Sequence, residues 1–284
     1  QSFEATYDEH NISATKKDTM AFLPIMVELA DGKKAVITEA DLQDYPGMYL
    51  KKNDSNAHGF KATFAPVILE SYQGGIGNMN RLAKKRADYI AEVEGKRSFP
   101  WRTIIISSED KELSNKDMVQ KLAEPSRIKD ESWIKPGKIS WDWWNDWQLA
   151  GVDFEVGINT ETYKYYIDFA NANELEYIII DDGWSSGLDL FEQNPDLDLE
   201  ATLAYAKSKN VGVILWSSWY AFARDMEGIF KKYAEMGVVG FKVDFFDRDD
   251  QEVLRSVYEM SAVAAKYKLM MDYHGFFKPQ GLQR

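Results

Sequence analysis

Lys242 and Asp244 stand two residues apart in Gly240-Phe241-Lys242-Val243-Asp244-Phe245-Phe246. In a β-strand that spacing puts an ammonium and a carboxylate on one face. A neighbouring cation lowers a carboxylate's pKa and keeps it ionised, the state a nucleophile needs. The blander reading is a structural ion pair, because an unpaired Lys inside a sheet is costly. Asp181-Asp182-Gly183-Trp184 directly follows the apolar run Tyr177-Ile178-Ile179-Ile180. Two adjacent carboxylates at a strand end can accept hydrogen bonds from two vicinal hydroxyls. Gly183 permits a tight turn that would bring Trp184 over a pocket. Asp272 is the acid of a third apolar run, and aromatics recur at the same ends: Trp141 with Trp143 and Trp144, Trp216, and Tyr273. Carboxylates ringed by Trp and Tyr are what sugar chemistry requires, with the acids for bond cleavage or hydroxyl binding and the rings for stacking on C–H faces. Any single Asp here could equally cap the next helix. Repetition on successive strands shifts the balance toward function. His274, one of three His, follows the last such strand and reads as either a hydrogen-bonded structural residue or a binding residue.

Other patterns carry less. Asp247, Asp249 and Asp250 superficially suggest a calcium loop, but they lack the Gly and distal Glu of an EF-hand; Asp249-Asp250 fits a helix start better. No His pair has metal-ligand spacing, which argues against zinc or iron. The absence of Cys excludes disulfides, thiolate catalysis and Cys-based zinc sites. The Gly74 to Gly77 stretch has no strand–helix context for phosphate binding.

Positioning these acids requires a parallel sheet. From about Ile139, near-continuous apolar runs alternate with segments of helical periodicity. The strands are expected at 139–144, 177–181, 211–216, 238–245 and 269–273. Between them the spacing predicts helices around Tyr163-Ala170, Leu199-Ala206, Met226-Tyr233 and Val253-Ala264. That alternation means βαβ units. An eight-stranded (β/α) barrel needs roughly 250 residues, more than remain after Ile139. The choice is therefore an open doubly wound sheet or a barrel cut short, and the ending just after the last strand favours the latter. Before about Arg127 the grammar is different. Short runs such as Ala21–Val27, Lys34–Thr38 and Arg102–Ser107, punctuated by Asp31-Gly32, Tyr45-Pro46-Gly47 and Gln73-Gly74-Gly75, predict an antiparallel β-sandwich. The polar stretch 115–138, with Pro125 and Pro136, reads as a linker with one short helix at most.

Composition bounds the partners. The 284 residues are 45% hydrophobic and 14% aromatic, ample for a packed core. A formal net charge of −12 argues against nucleic acid and against acidic polymers. Neutral sugars or small molecules fit better. No apolar run approaches the ~18 residues of a membrane span. The residues from Gln1 lack the pattern of a leader, so a signal peptide is expected to be absent or removed.

These motifs together resemble glycoside hydrolase family 97, the Bacteroides-type α-glucosidase and α-galactosidase family. The resemblance rests on Thr38-Glu39-Ala40-Asp41-Leu42 with Asp44-Tyr45-Pro46-Gly47-Met48, Pro100-Trp101-Arg102, Ser140-Trp141-Asp142-Trp143-Trp144, Asp181-Asp182-Gly183-Trp184, Phe241-Lys242-Val243-Asp244, and Tyr273-His274-Gly275 with Lys278-Pro279. It spans nearly the whole chain. It implies a partial N-terminal β-supersandwich (1–127), a linker (128–138), and the first part of a (β/α)8 TIM barrel (139–284) truncated after about five strands. It also implies a retaining exo-α-glycosidase, above all an α-galactosidase, because the fourth-strand position held by Asp244 matches the retaining branch. The alternatives are an α-glucosidase or β-L-arabinopyranosidase of the same family, or a non-catalytic glycan-binding homologue. By resemblance Asp244 is the nucleophile. Asp181, Asp182, Trp184, Lys242, Trp141 and His274 are expected to bind the sugar. The family's acid/base Glu belongs to a sixth strand. A calcium ion is implied near the site, with Glu39 as its candidate ligand from the N-terminal half. A periplasmic or secreted location and an oligosaccharide substrate are also implied; the oligomeric state is left open.

Overall fold

The computed structural model describes residues 8–17 and 19–275. The N-terminal half is antiparallel. Its strands are β1 (Met20–Ala21), β2 (Ile25–Glu28), β3 (Lys34–Ala40), β4 (Met48–Lys52), β5 (Phe60–Phe64), β6 (Ile68–Gly74), β7 (Asn80–Arg86) and β8 (Trp101–Ser107). They form sheets ordered β1-β4-β5 and β2-β3-β8, with β6-β7 as a separate pair. Leu23, Met48 and Leu50 are buried between the first two sheets, with Ile25, Ile37, Phe60 and Phe64 packed against them. Alternating side chains thus meet face to face, as the sandwich pattern predicts. Two short helices follow, α1 (Asp110–Leu113) and α2 (Met118–Leu122). Residues 123–138 then carry neither helix nor strand.

The second half alternates strand and helix: β9 (Ile139–Trp141), α3 (Thr160–Ala172), β10 (Tyr177–Ile180), β11 (Ser185–Ser186), β12 (Asp189–Gln193), α4 (Leu199–Ser208), β13 (Gly212–Ser218), α5 (Phe222–Met236), β14 (Gly240–Asp244), α6 (Gln251–Lys266) and β15 (Met270–Tyr273). Five strands form one sheet in the order β15-β14-β13-β10-β9. Every pairing in it is parallel. Each strand lies beside its predecessor in sequence, with no reversal of order.

The helices begin where the sequence supplies a cap. Asn159, Asp198 and Asp250 accept from the backbone N–H groups of Thr162, Ala201 and Glu252, meeting donors that the first turn leaves orphaned. α5 ends at Gly237 with φ 100°, a left-handed position that suits glycine. One helix face buries against the sheet. Tyr163 and Ile167 of α3, Ile229 and Phe230 of α5, and Val253 and Leu254 of α6 pack with Ile178, Ile180, Phe241 and Val243. Each fully buried aliphatic side chain contributes roughly 1.5–3 kcal/mol.

Two local expectations need correction. The first strand stops at Trp141 rather than Trp144, because Asp142–Asn145 turn into a 3₁₀ segment with Asp142 Oδ1 accepting the Trp143 N–H at 2.7 Å. The hairpin of β11 and β12 was not expected, since its residues show no clear alternation.

Candidate active site

The carboxyl ends of the parallel strands gather the acids. β14 holds Lys242 and Asp244 on one face, as their spacing predicts. Lys242 is 3% and Asp244 8% exposed. Lys242 Nζ donates to Asp244 Oδ2 at 3.2 Å and, across β13, to Asp181 Oδ2 at 3.0 Å. It also lies 4.9 Å from the Trp141 ring centroid, a favourable cation–π distance. One ammonium therefore serves two carboxylates and an indole. Asp181 Oδ2 accepts a second bond, from Trp141 Nε1 at 2.6 Å.

The two oxygens of Asp244 are unequal. Oδ2 takes Lys242, Trp216 Nε1 at 3.4 Å and His274 Nδ1 at 2.9 Å. With a carboxylate as partner, Nδ1 must carry the proton. Oδ1 takes one backbone donor, Phe245 N–H at 2.7 Å. Burial pushes the Asp244 carboxyl up, but Lys242, His274 and the Phe245 amide outweigh it and hold the group below the ordinary carboxylate value. Gly275 has φ 58°, and a Cβ there would sit 2.8 Å from Asp244 Oδ1. Only glycine leaves that oxygen room.

Asp182 is half-buried, and the backbone N–H of the next residue, Gly183, hydrogen-bonds its carboxylate. Burial, then the charge of Asp181, raises its pKa. Its backbone N–H donates to Asp181 Oδ1 at 2.8 Å, which locks the turn between the two acids. Gly183 continues that turn with φ 104°.

Trp184 is not where the sequence reading puts it. It is 1% exposed, stacks edge-on against Tyr233 at 5.2 Å, and donates Nε1 to the Trp216 carbonyl at 2.8 Å. The turn at Gly183 sends the indole down into the helix layer. It is a core residue and cannot stack on a sugar. Trp143 and Trp144 are instead exposed beside Trp141. Asp272 is exposed on the edge strand β15. His274 sits edge-on to Trp141 at 5.9 Å while its Nδ1 meets Asp244.

Glu39 also needs correction. It is 0% exposed, and its cross-strand neighbour in β8 is Arg102. Arg102 Nη1 lies 3.2 Å from Oε2, and both oxygens accept the Met48 N–H, at 2.9 and 3.1 Å. A carboxylate neutralised by a guanidinium and tied to the backbone does not fit a cation ligand. Among the described residues no group of three His, Asp or Glu is placed to hold a metal. Lys278 and Pro279 lie outside the described residues.

Three residues of the site escaped sequence reasoning. Asp142 lies behind Asp181 and is 0% exposed. Its signal is an acid directly after a strand run, set among Trp141, Trp143 and Trp144. Trp216 reads from sequence as an aromatic, and its role as an N–H donor to Asp244 is visible only in the fold. Asn80 comes from β7, with no motif to mark it. It donates to Asp247 Oδ2 at 2.9 Å and accepts from Trp219 Nε1 at 2.9 Å, so the N-terminal half ties together the turns after β13 and β14.

A β-sandwich joined to a parallel α/β sheet, with clustered acids and indoles at the carboxyl ends of its strands, defines a class of carbohydrate-active scaffold. Comparison gives the family. The Glycoside hydrolase 97 model matches residues 143–284, and the Glycosyl-hydrolase 97 N-terminal model matches residues 1–125. The chain belongs to glycoside hydrolase family 97. It is 49% identical over 285 residues to the retaining alpha-galactosidase of Bacteroides thetaiotaomicron, covering 100% of this chain and 43% of that relative. It is 29% identical over 198 residues to a probable retaining alpha-galactosidase of Streptomyces bingchenggensis, covering 67% of this chain and 30% of that relative. Among solved structures it resembles a family 97 enzyme in complex with acarbose from Pseudoalteromonas sp. strain K8, with TM-score 0.76 and 24% identity over 93% of this chain and 42% of that one. The chain thus spans less than half the length of these relatives.

Proposed function

We propose that the protein is a retaining exo-α-galactosidase in which Asp244 is the nucleophile. The observation that carries this is the Lys242–Asp244 pair, a buried carboxylate held ionised at a strand end beside two further acids. In this reading Asp244 Oδ1, the less committed oxygen, attacks the anomeric carbon. The C1–O bond to the leaving group breaks, and a β-galactosyl ester forms on Asp244. A carboxylic acid protonates the departing oxygen, then takes a proton from the water that cleaves the ester. Family resemblance assigns that acid to a Glu on a sixth strand. Asp181, Lys242 and Asp182 bind sugar hydroxyls, with Trp141 alongside.

The sequential strand order supports a singly wound barrel over a doubly wound sheet, whose order reverses at a switch point. The reading therefore divides the protein at 1–127, 128–138 and 139–284, the last being the first part of a (β/α)8 barrel. A calcium ion and a periplasmic or secreted location rest on the family resemblance alone, and no step here passes through a metal.

Anomer-resolved NMR of the first product formed by the full-length protein from an aryl α-galactoside tests the proposal. The α-anomer of galactose is expected first; the β-anomer would overturn it. A panel of aryl α-galactosides, α-glucosides and β-L-arabinopyranosides tests the sugar assignment.

A further inference from the structure

We propose that Asp142 is a positioning residue for this site: its ionised carboxylate holds the Asp181-Asp182 turn in its binding geometry, and protonating it slackens that turn and sets the acid limb of activity. The proposal rests on the glycosidase reading above but stands on its own geometry. Asp142 Oδ2 accepts from Tyr163 Oη at 2.9 Å, Trp147 Nε1 at 3.0 Å and the Asp181 backbone N–H at 3.1 Å, while Oδ1 accepts from Trp143 N–H. Four donors converge on a carboxylate with no exposure and no cation in contact among the described residues.

Such a cage favours the anion, because all four bonds are accepted by the carboxylate and a proton on either oxygen weakens them. A proton arriving on Oδ2 must displace one of its three donors. The Tyr163 hydroxyl can turn and accept. The indole of Trp147 and the amide of Asp181 are donors only. A displaced Asp181 N–H is a buried backbone donor without a partner, which costs about 1–3 kcal/mol and is relieved by moving the turn. Asp181 carries Lys242, and Lys242 carries Asp244, so the movement reaches the nucleophile. Displacements of about 1 Å in such an array cost on the order of 10²-fold in rate.

The charges facing Asp142 set the sequence of protonation. Tyr163 and Tyr166 face it from α3, and Asp181 from β10, with Lys242 beyond Asp181. Burial foremost, with the charge of Asp181 adding to it, pushes Asp142 up to about 6 against its hydrogen bonds. Asp244 is held below the ordinary range. As pH falls from neutrality, Asp142 takes a proton before the nucleophile does. Asp182 is also raised and is the rival group that the test separates.

The experiment measures two things on the full-length protein between pH 4 and 8: kcat/KM for 4-nitrophenyl α-galactoside, and intrinsic tryptophan fluorescence, to which Trp147 contributes with the other indoles and whose Asp142-dependent part is isolated by the variants. Wild type is expected to show a fluorescence step near pH 6 that persists in Asp182→Asn and disappears in Asp142→Asn. The acid limb of kcat/KM moves to lower pH in Asp142→Asn, with KM at pH 7 raised about tenfold. Tyr163→Phe removes a donor that favours the anion, so its limb and its step move to higher pH. That variant carries the test if Asp142→Asn does not fold. A step unchanged in Asp142→Asn, a limb that follows Asp182→Asn instead, or Tyr163→Phe indistinguishable from wild type would each overturn the proposal. If wild type turns over no α-galactoside, the function falls while the fluorescence step still decides the role of Asp142.

Discussion

Asn80 Nδ2 donates to Asp247 Oδ2 at 2.9 Å, a contact between residues 167 positions apart that joins the β-sandwich half to the loop leaving Asp244. The same side chain accepts from Trp219 at the end of β13. Asp247 and Phe245 both have positive φ, 46° and 64°, so the loop between the acid strand and α6 is an unfavourable backbone path held by outside contacts. Arg248 adds to the clamp, donating to the Arg81 carbonyl at 2.9 Å and to Asp250 Oδ1 and Oδ2 at 2.9 and 2.6 Å.

Asn80→Ala is therefore expected to lower stability by about 1–3 kcal/mol, the cost of leaving buried polar partners unmet. Urea unfolding of the full-length protein measures it. The variant should lose kcat as well as stability, because the loop it releases begins at the nucleophile. A stable variant with unaltered kcat would show that the loop holds itself.

Asp244→Gly removes the attacking oxygens. Turnover of an aryl α-galactoside should fall by at least about 10³-fold, as when a covalent nucleophile is deleted. Azide fits the space left by the carboxylate, and its addition should restore turnover with β-galactosyl azide as product. Rescue yielding the α-azide would contradict attack from the Asp244 side.

Lys242→Met takes away the charge that helps keep Asp244 ionised. Because that charge holds the Asp244 carboxyl low, losing it raises the pKa, and the ionised fraction then falls as pH drops. Activity at pH 5 should fall more than activity at pH 7, shifting the acid limb upward. Two buried carboxylates also lose their cation, a change that costs about 3–5 kcal/mol. A parallel loss of activity at both pH values would assign Lys242 to sugar contact alone.

Trp184→Ala should cost about 3–5 kcal/mol in stability, as expected for deleting a large buried ring, with Trp184→Phe milder. Neither should change KM at a temperature where the variant is folded. Trp141→Phe should do the reverse, because it removes the 2.6 Å bond to Asp181 while leaving the core packed. Thermal melts and initial rates on the two pairs separate these roles.

Glu39→Gln tests the N-terminal half. With Arg102 left facing a neutral amide, stability should drop by roughly 3–5 kcal/mol, and by the same amount in calcium and in chelator. A loss seen only with calcium present would reinstate Glu39 as a metal ligand.

Most of the fold is legible in the sequence because its signals are local. Tyr177-Ile178-Ile179-Ile180 is buried at every position, and a short β-branched run with no polar face, set between helical segments, reads as a strand covered on both sides. The period-two placement of Lys242 and Asp244 fixes their shared face whatever surrounds them, and Asp250 caps α6 through its own neighbours. What depends on distant residues is not written locally. Trp184 follows a strand-end acid pair just as a sugar platform would, and only the packing of α5 against the sheet decides that its ring goes inward. Glu39 reads as a strand-end charge until β8 brings Arg102 opposite it. Asp142 and Asn80 acquire their roles from α3, β10 and the turn after β13, elements far from them in sequence. Hydrophobic period and spacing determine which face a residue takes. Which partner it meets there is settled only when the sheet and its helices pack, since burial, charge and hydrogen-bond supply at that point come from other parts of the chain.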